Sequence, residues 1–476
     1  MNLKVLMLGW EYPPETSGGL GKASLEISRA LSDLTDLTVI VPSGEESLLP
    51  QGEIISLARE SSKEKVPEGH EIYLQILSNA ELALLKSKMN PYASLAEVFL
   101  PVTSPHLQEV LAHKAPNYLS SQQGLPFQVD TGVGVPAEEE RERSMSLQPI
   151  PTNEPTPILS IEDIKALLPL KLKELYGENM LQDILSYSKA VAGLVQANEY
   201  DIIHAHDWMT FLAGLEVKAQ HDIPLVLHVH SLEYDRSGLK TKNWIFQVEQ
   251  FAMEQADLII PVSQYTANII TDIYGVDADK ILPIHNAVSN VDAFVSARKF
   301  PEKLVVFLGR ITRQKGPAFF VELAEKALKE NEEVRFVMAG KGDLTEAMMD
   351  VVAAKRLGNK FHFTGFLTQA LVQELLSITD VLVMPSVSEP FGLVAIEAAQ
   401  FGVPCVISRQ SGVSEILKGA VQLNYWETDK MLKEVLNLLE NEVYYQKVAT
   451  QQHEDLTVNW EDTAQKILKA YQTIVA

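Results

Sequence analysis

A single cysteine rules out disulfides in this 476-residue chain. Cys405 lies in the apolar run "VPCVIS". It reads as a buried, inert thiol in a protein of a reducing compartment, since a reactive thiol needs an electropositive, accessible setting. Long apolar runs are missing too: no stretch could cross a bilayer as a helix. The opening "MNLKVLMLGWEYPP" has no cleavage pattern of a secretory signal. The expectation is a soluble, cytoplasmic protein. Positive charge is scarce, with 40 Lys+Arg against 63 Asp+Glu and a net charge of −23. That balance argues against a nucleic-acid partner and against association with an anionic membrane. What remains is ordinary globular material, 46% hydrophobic and 22% charged. Its length exceeds what one core organises, so two domains are expected.

Short apolar runs alternate with helix-period segments. The first set is "LKVLMLGW", "LTVIVP", "YDIIHAH", "IPLVLHVH", "DLIIPVS" and "KILPIHNA". After a polar gap near 288–302 come "KLVVFLGR", "VRFVMAGKG", "KFHFTG", "DVLVMPS" and "VPCVIS". Alternating β and α with nearly continuous apolar strands predicts an α/β chain whose parallel sheets are covered on both faces. The domains are placed at 1–290 and 291–455, followed by a helix over 456–476. Residues 45–160 break the rhythm: they hold two possible strands, "EIISLA" and "EIYLQIL", and a Pro/Glu/Ser-rich stretch, and read as an insertion with a flexible segment around 130–158.

Four constellations carry chemistry. "TSGGLGKAS" (16–24) follows a strand and precedes a helix. It fails as a Walker loop, because Thr16 and Ala23 replace the first glycine and the magnesium-binding hydroxyl. It also fails as a dinucleotide fingerprint, because Ser24 stands at the third glycine. Its glycines can still bring backbone N–H groups to an anion at a helix N-terminus. "LGRITRQKG" sets Arg310, Arg313 and Lys315 just past a strand end, where they suit a diphosphate.

"SVSEPFGLVAIEAAQFG" contains two carboxylates. Glu389 stands in a loop. Glu397 lies in an apolar helix, read as beginning at Phe391, where its charge needs a partner such as ribose hydroxyls. Paired carboxylates also serve in glycoside hydrolysis, so spacing alone leaves that chemistry open. "IIHAHDWMT" and "LVLHVHSLEYDRSG" alternate His204 with His206 and His228 with His230. Nothing there completes a recognised zinc spacing, and hydrogen-bonded strand-end histidines are the simpler reading. Asp277 to Asp279 ("DAD") read as turn formers rather than metal ligands.

In this order the motifs resemble the retaining GT-B glycosyltransferases of family 4 and the related bacterial glycogen synthases. The resemblance covers most of the chain outside 45–160. Its most specific part is the E-x7-E spacing from Glu389 to Glu397. It implies two Rossmann-like domains facing across a cleft, an acceptor domain and a nucleotide-sugar domain, with the C-terminal helix crossing back to the first.

By the same resemblance, Arg310 and Lys315 would neutralise the donor diphosphate. Glu389 would bind the transferred sugar and stabilise positive charge at its anomeric carbon, and Glu397 would hold the ribose. Gly18 and Gly19 would meet the phosphates from the opposite wall. Phe391, Gly392 and Leu393 would offer N–H groups to the donor. Gly340, Gly342 and Phe366 would border the base. His230 would hydrogen-bond the donor sugar, and Asp207 would shape the acceptor side. No metal or cofactor is implied beyond the donor, ADP-glucose or UDP-glucose. Thr16 stands where glycogen synthases commonly have lysine, and Asn286–Ser289 reads "NAVS" where "NGVD" is usual.

The function expected is transfer of a hexose, glucose first, from a nucleotide-sugar to an α-glucan. Transfer to a lipid-linked, cell-surface or small-sugar acceptor is the alternative. A non-catalytic sugar-nucleotide or glucan binder is the alternative of another class.

Overall fold

The computed structural model describes residues 2–13, 19–43, 49, 51–57, 180–195, 199–238, 243–289 and 298–475. Six parallel strands form the first sheet: β1 (Lys4–Leu8), β2 (Asp36–Val41), β3 (Glu53–Ser56), β4 (Ile202–His206), β5 (Leu225–Val229) and β6 (Leu258–Pro261). Six more form the second: β7 (Lys303–Leu308), β8 (Val334–Ala339), β9 (Phe361–Gly365), β10 (Val381–Met384), β11 (Cys405–Ser408) and β12 (Val421–Leu423). The first sheet runs β3-β2-β1-β4-β5-β6 and the second β12-β11-β10-β7-β8-β9. Read from its own first strand, each follows the same path, 3-2-1-4-5-6. All pairings are parallel.

The helices are α1 (Gly19–Ser32), α2 (Met180–Leu194), α3 (Trp208–His221), α4 (Glu233–Ser237), α5 (Trp244–Gln255) and α6 (Gln264–Asp272) in the first lobe. The second lobe has α7 (Pro317–Glu330), α8 (Thr345–Ala354), α9 (Gln369–Ser377), α10 (Leu393–Gln400), α11 (Thr428–Glu440) and α12 (Glu442–Glu454). A last helix, α13 (Trp460–Val475), returns to the first lobe. Its Trp460, Ala464, Ile467, Ala470 and Tyr471 are buried in one core with Val5, Met7, Ala23 and Ile27. An amphipathic helix alone buries nothing, and this stripe is satisfied only by packing on the first lobe.

The possible strand "EIISLA", inside the stretch read as an insertion, is β3: it pairs in register with β2, Thr38 against Glu53 through Val41 against Ser56, at the edge of the first sheet. The Pro/Glu/Ser-rich segment, Gly18 and the interdomain residues 290–297 lie outside the described residues. "KILPIHNA" is not a strand of the sheet. It makes a single bridge, Ile281 to Ile259, and two bonds, Leu282 N–H to Ile259 C=O and Ile284 N–H to Pro261 C=O. Pro283 between them has no donor to extend a ladder.

Candidate active site

In an open parallel sheet, a crevice forms where neighbouring strands send their connections to opposite faces. Here that happens between β1 and β4, and between β7 and β10. Each of the four strand ends carries a stretch singled out in the sequence. β1 leads to the glycine loop and α1, and β4 to Asp207. β7 leads to Arg310 through Lys315, and β10 to Ser386 through Glu389.

On the second lobe, Lys315 Nζ donates to Glu389 Oε2 at 2.5 Å, and Ser386 Oγ donates to the same oxygen at 3.2 Å. Among the described residues nothing bonds to Oε1. The pair is held by backbone. Val387 N–H donates to Gln314 C=O, Glu389 N–H to Gln410 C=O, and Gly412 N–H to Glu389 C=O. Gly316, at φ +66°, lets the Lys315 turn come so close to β10 that a Cβ would fall 2.1 Å from the Pro385 carbonyl oxygen. Gly392, at φ +108°, caps α10, which therefore starts at Leu393 rather than Phe391. A Cβ on Gly392 would press on Val413, Met384 and Glu389. Glu397, buried on α10, accepts from Lys22 Nζ of α1 at 2.5 Å. Gly19, the first residue of α1, sits against Leu393.

On the first lobe, Asp207 turns the chain from β4 into α3 with φ 59° and ψ 166°, a region that glycine alone enters without strain. Its carboxylate makes no bond to the helix it precedes. Instead Oδ1 accepts the N–H groups of His230 (2.7 Å) and Ser231 (3.2 Å), fixing the loop after β5. Burial pushes Asp207 up to about 7, against the pull of those N–H groups and of Arg236.

The four histidines form a hydrogen-bonded stack. His204 Nε2 lies 3.2 Å from His228 Nδ1, and His206 Nδ1 lies 3.0 Å from His230 Nε2. His228 and His230 stack with centroids 4.4 Å apart and planes 8° from parallel. Burial lowers all four, His204 and His230 to about 3, so the rings are neutral. Tyr471 Oη from α13 lies 2.6 Å from His204 Nδ1 and anchors the inner end. Ring nitrogens of His204, His206 and His228 come within 4.8 Å of one another. His204 Nε2 and His228 Nδ1, however, are already committed to a hydrogen bond with each other, and the His204 and His206 rings are tilted by 46°. His230 Nδ1 has no hydrogen-bond partner among the described residues.

Two family models match adjoining parts of the chain: glycosyl transferases group 1 over 290–454 and glycosyltransferase family 4 over 154–290. An uncharacterized glycosyltransferase of Methanocaldococcus jannaschii is 31% identical over 245 residues, 48% of this chain and 63% of the relative. A glycogen synthase of Mycobacterium tuberculosis is 28% identical over 223 residues, 45% of this chain and 53% of the relative. The matches thus span between about half and two thirds of those relatives. The catalytic domain of starch synthase IV from Arabidopsis thaliana, solved with ADP and acarbose, is 12% identical and superposes with a TM-score of 0.63 over the whole of both chains. The chain has the GT-B glycosyltransferase fold.

Lys315, Glu389, Gly392, Leu393 and Glu397 lie on the second lobe; on the first, Asp207 and His230 follow the ends of β4 and β5 and Gly19 opens α1. Contacts between the lobes run directly through these motifs. Ser388 Oγ donates to Asp235 Oδ1 at 2.5 Å, and Arg313 Nη1 donates to Ser237 C=O at 3.1 Å. Arg313 therefore ties the two lobes together instead of joining Arg310 and Lys315 in one cationic cluster. Arg310 is exposed beside the Gly309 turn. Phe391 is buried. Phe366 is 64% exposed at the end of β9.

Gly340 and Gly342 have a structural duty. A Cβ on the first would lie 1.9 Å from Gly309 O, and one on the second 2.3 Å from Ile311 O. They let the loop after β8 stack on the loop after β7. Cys405 is buried, with its thiol pushed up to about 12 by desolvation. Asp277 caps a 3-10 turn by accepting from Asp279 N–H, as a turn former does.

Sequence reasoning missed two groups. Lys22 carries no role in the sequence reading, because its partner lies 375 residues away. Arg236, in "HSLEYDRSG", donates to Glu233, Glu249 and Ser231, and Tyr274 Oη donates to Glu249. That buried network holds α4 against the site. Helical spacing (Glu233 to Arg236) could have signalled only its first pair.

Proposed function

We propose that this protein is a retaining glycosyltransferase that moves glucose from ADP-glucose or UDP-glucose to an α-glucan. The observation that carries the proposal is the Lys315–Glu389 pair at one switch point, together with a neutral His230 positioned by Asp207 at the other. Lys315 and the exposed Arg310 meet the diphosphate as the bond between the anomeric carbon and the phosphate oxygen breaks. Oε1 of Glu389 takes a sugar hydroxyl while the carboxylate offsets charge at the anomeric carbon. The acceptor oxygen bonds to that carbon from the face the phosphate leaves, and its proton passes to the departing phosphate oxygen. His230 Nδ1 hydrogen-bonds the sugar, and Glu397 holds the ribose.

No protein nucleophile is needed. Fixed cations serve the leaving group, so electrostatic stabilisation supplies most of the acceleration and neither a metal nor a cofactor is required. The glucan acceptor is supported by the similarity to a glycogen synthase and to a starch synthase domain. No described helix is long and apolar enough to cross a membrane, and the buried thiol suits the cytoplasm.

The direct test is incubation with ADP-glucose or UDP-glucose and glycogen, following nucleotide release and glucose incorporation. Release of ADP or UDP with growth of the glucan supports the proposal. Neither donor consumed, with glycogen or with small sugars, overturns it.

A further inference from the structure

Lys22 breaks a local rule. It stands in the first turn of α1, where the helix's free N–H groups favour anions, and no acidic side chain accompanies it there. Its compensation comes from the other lobe. Nζ donates to Glu397 Oε1 at 2.5 Å, with the two side chains 30% and 10% exposed. Glu397 needs such a partner, because α10 buries it among Ala395, Ile396, Ala398 and Ala399 and an unpaired carboxylate there is costly. The contact also sits where α1 begins, with Gly19 against Leu393, so a phosphate held at the start of α1 lies within the reach of the same lysine.

Resting on the donor reading above, we propose that Lys22 is an exchangeable latch that makes the site selective for nucleoside diphosphates over nucleosides. Without donor it neutralises Glu397. When ribose hydroxyls take the carboxylate, the ammonium turns to the diphosphate. A nucleoside must break the ion pair and offers no anion in return. A nucleoside diphosphate breaks it and replaces it. Lys22 thereby supplies a positive charge on the first-lobe wall.

The test is calorimetric titration of the full chain with ADP, UDP, adenosine and uridine, using wild type, Lys22→Met and Lys22→Arg. For the diphosphate that wild type binds, Lys22→Met is expected to weaken binding about tenfold. The matching nucleoside is expected to bind about threefold more tightly, since its competitor has gone. Lys22→Arg keeps the charge and is expected to keep the wild-type preference. Lys22→Gln replaces Lys22→Met if the latter does not fold. A diphosphate-to-nucleoside affinity ratio unchanged by removal of the charge overturns the latch and leaves the donor reading standing. Wild type that binds neither ADP nor UDP overturns both.

Discussion

Lys315 Nζ lies 2.5 Å from Glu389 Oε2 although the two belong to loops leaving different strands, β7 and β10. The contact exists because those strands are neighbours in the sheet, with Val305 beside Val381 and Val306 beside Leu382. Both partners are largely buried, at 20% and 7% exposure. Removing one leaves the other charge uncompensated.

Substituting this pair separates its two duties. Lys315→Ala is expected to lower the turnover rate by about 10²–10³-fold, the scale of losing one fixed charge aimed at a leaving group. Glu389→Gln is expected to lower turnover on a similar scale while nucleotide affinity stays near wild type. Steady-state kinetics combined with nucleotide titration checks both. A Glu389→Gln enzyme of undiminished rate would remove that carboxylate from the mechanism.

Asp207 combines a strained backbone with a displaced ionisation. Its pKa rises from 3.8 to about 7 on burial. A carboxylate raised in the folded state contributes stability below its unfolded pKa and loses it as pH climbs through the folded value. Wild type should therefore lose stability relative to Asp207→Asn between about pH 4 and 7 and hold a constant difference above that. Urea titrations across that range test the sign, and a difference independent of pH contradicts it. The neutral histidine stack acts in the opposite direction. Its contribution is present above about 6.5 and is lost as pH falls toward about 3. The difference between wild type and Asp207→Asn isolates the carboxylate.

Arg236 is the only cation that the described contacts place on Glu233 and Glu249. Burial holds Glu249 up near 8 despite that cation. Arg236→Ala removes the cation shared by buried Glu233 and Glu249 and should cost about 3 kcal/mol, the lower end for a broken buried pair because the arginine keeps an exposed edge. Urea midpoint and slope give the value. A cost under about 0.5 kcal/mol would mean that the network does not hold α4.

The glycine at 340 is expected to tolerate no side chain. Gly340→Ala would place a methyl 1.9 Å from the Gly309 carbonyl oxygen at φ +134°, so the loops after β7 and β8 must separate. A fall in melting temperature of several degrees is expected, with weaker nucleotide binding. Thermal melting with and without ADP or UDP reads both effects.

Much of this was legible in the sequence because it is local. β1, β4, β5 and β6 appear as apolar runs, and Glu389 and Glu397 keep their spacing whether or not the helix between them is known. Strand order was not legible. β4 and β10 join the sheets beside β1 and β7 through pairings across long stretches of chain, and no side-chain pattern marks them. The strained φ of Asp207 was hidden as well, because an aspartate before a helix reads as an ordinary N-cap. The edge strand β3 was visible as the apolar run "EIISLA", but its place beside β2 was not. Lys22 was visible as a residue, but its partner was visible only once two helices from different lobes met.

The return of α13 constrains synthesis as well as structure. The first sheet emerges from the ribosome early, yet its core waits for Trp460, Ile467 and Tyr471, which follow the entire second lobe. Domains ordinarily complete themselves in order as the chain is made. The residues of β1 and α1 that share this core lack those partners until the second lobe has been translated.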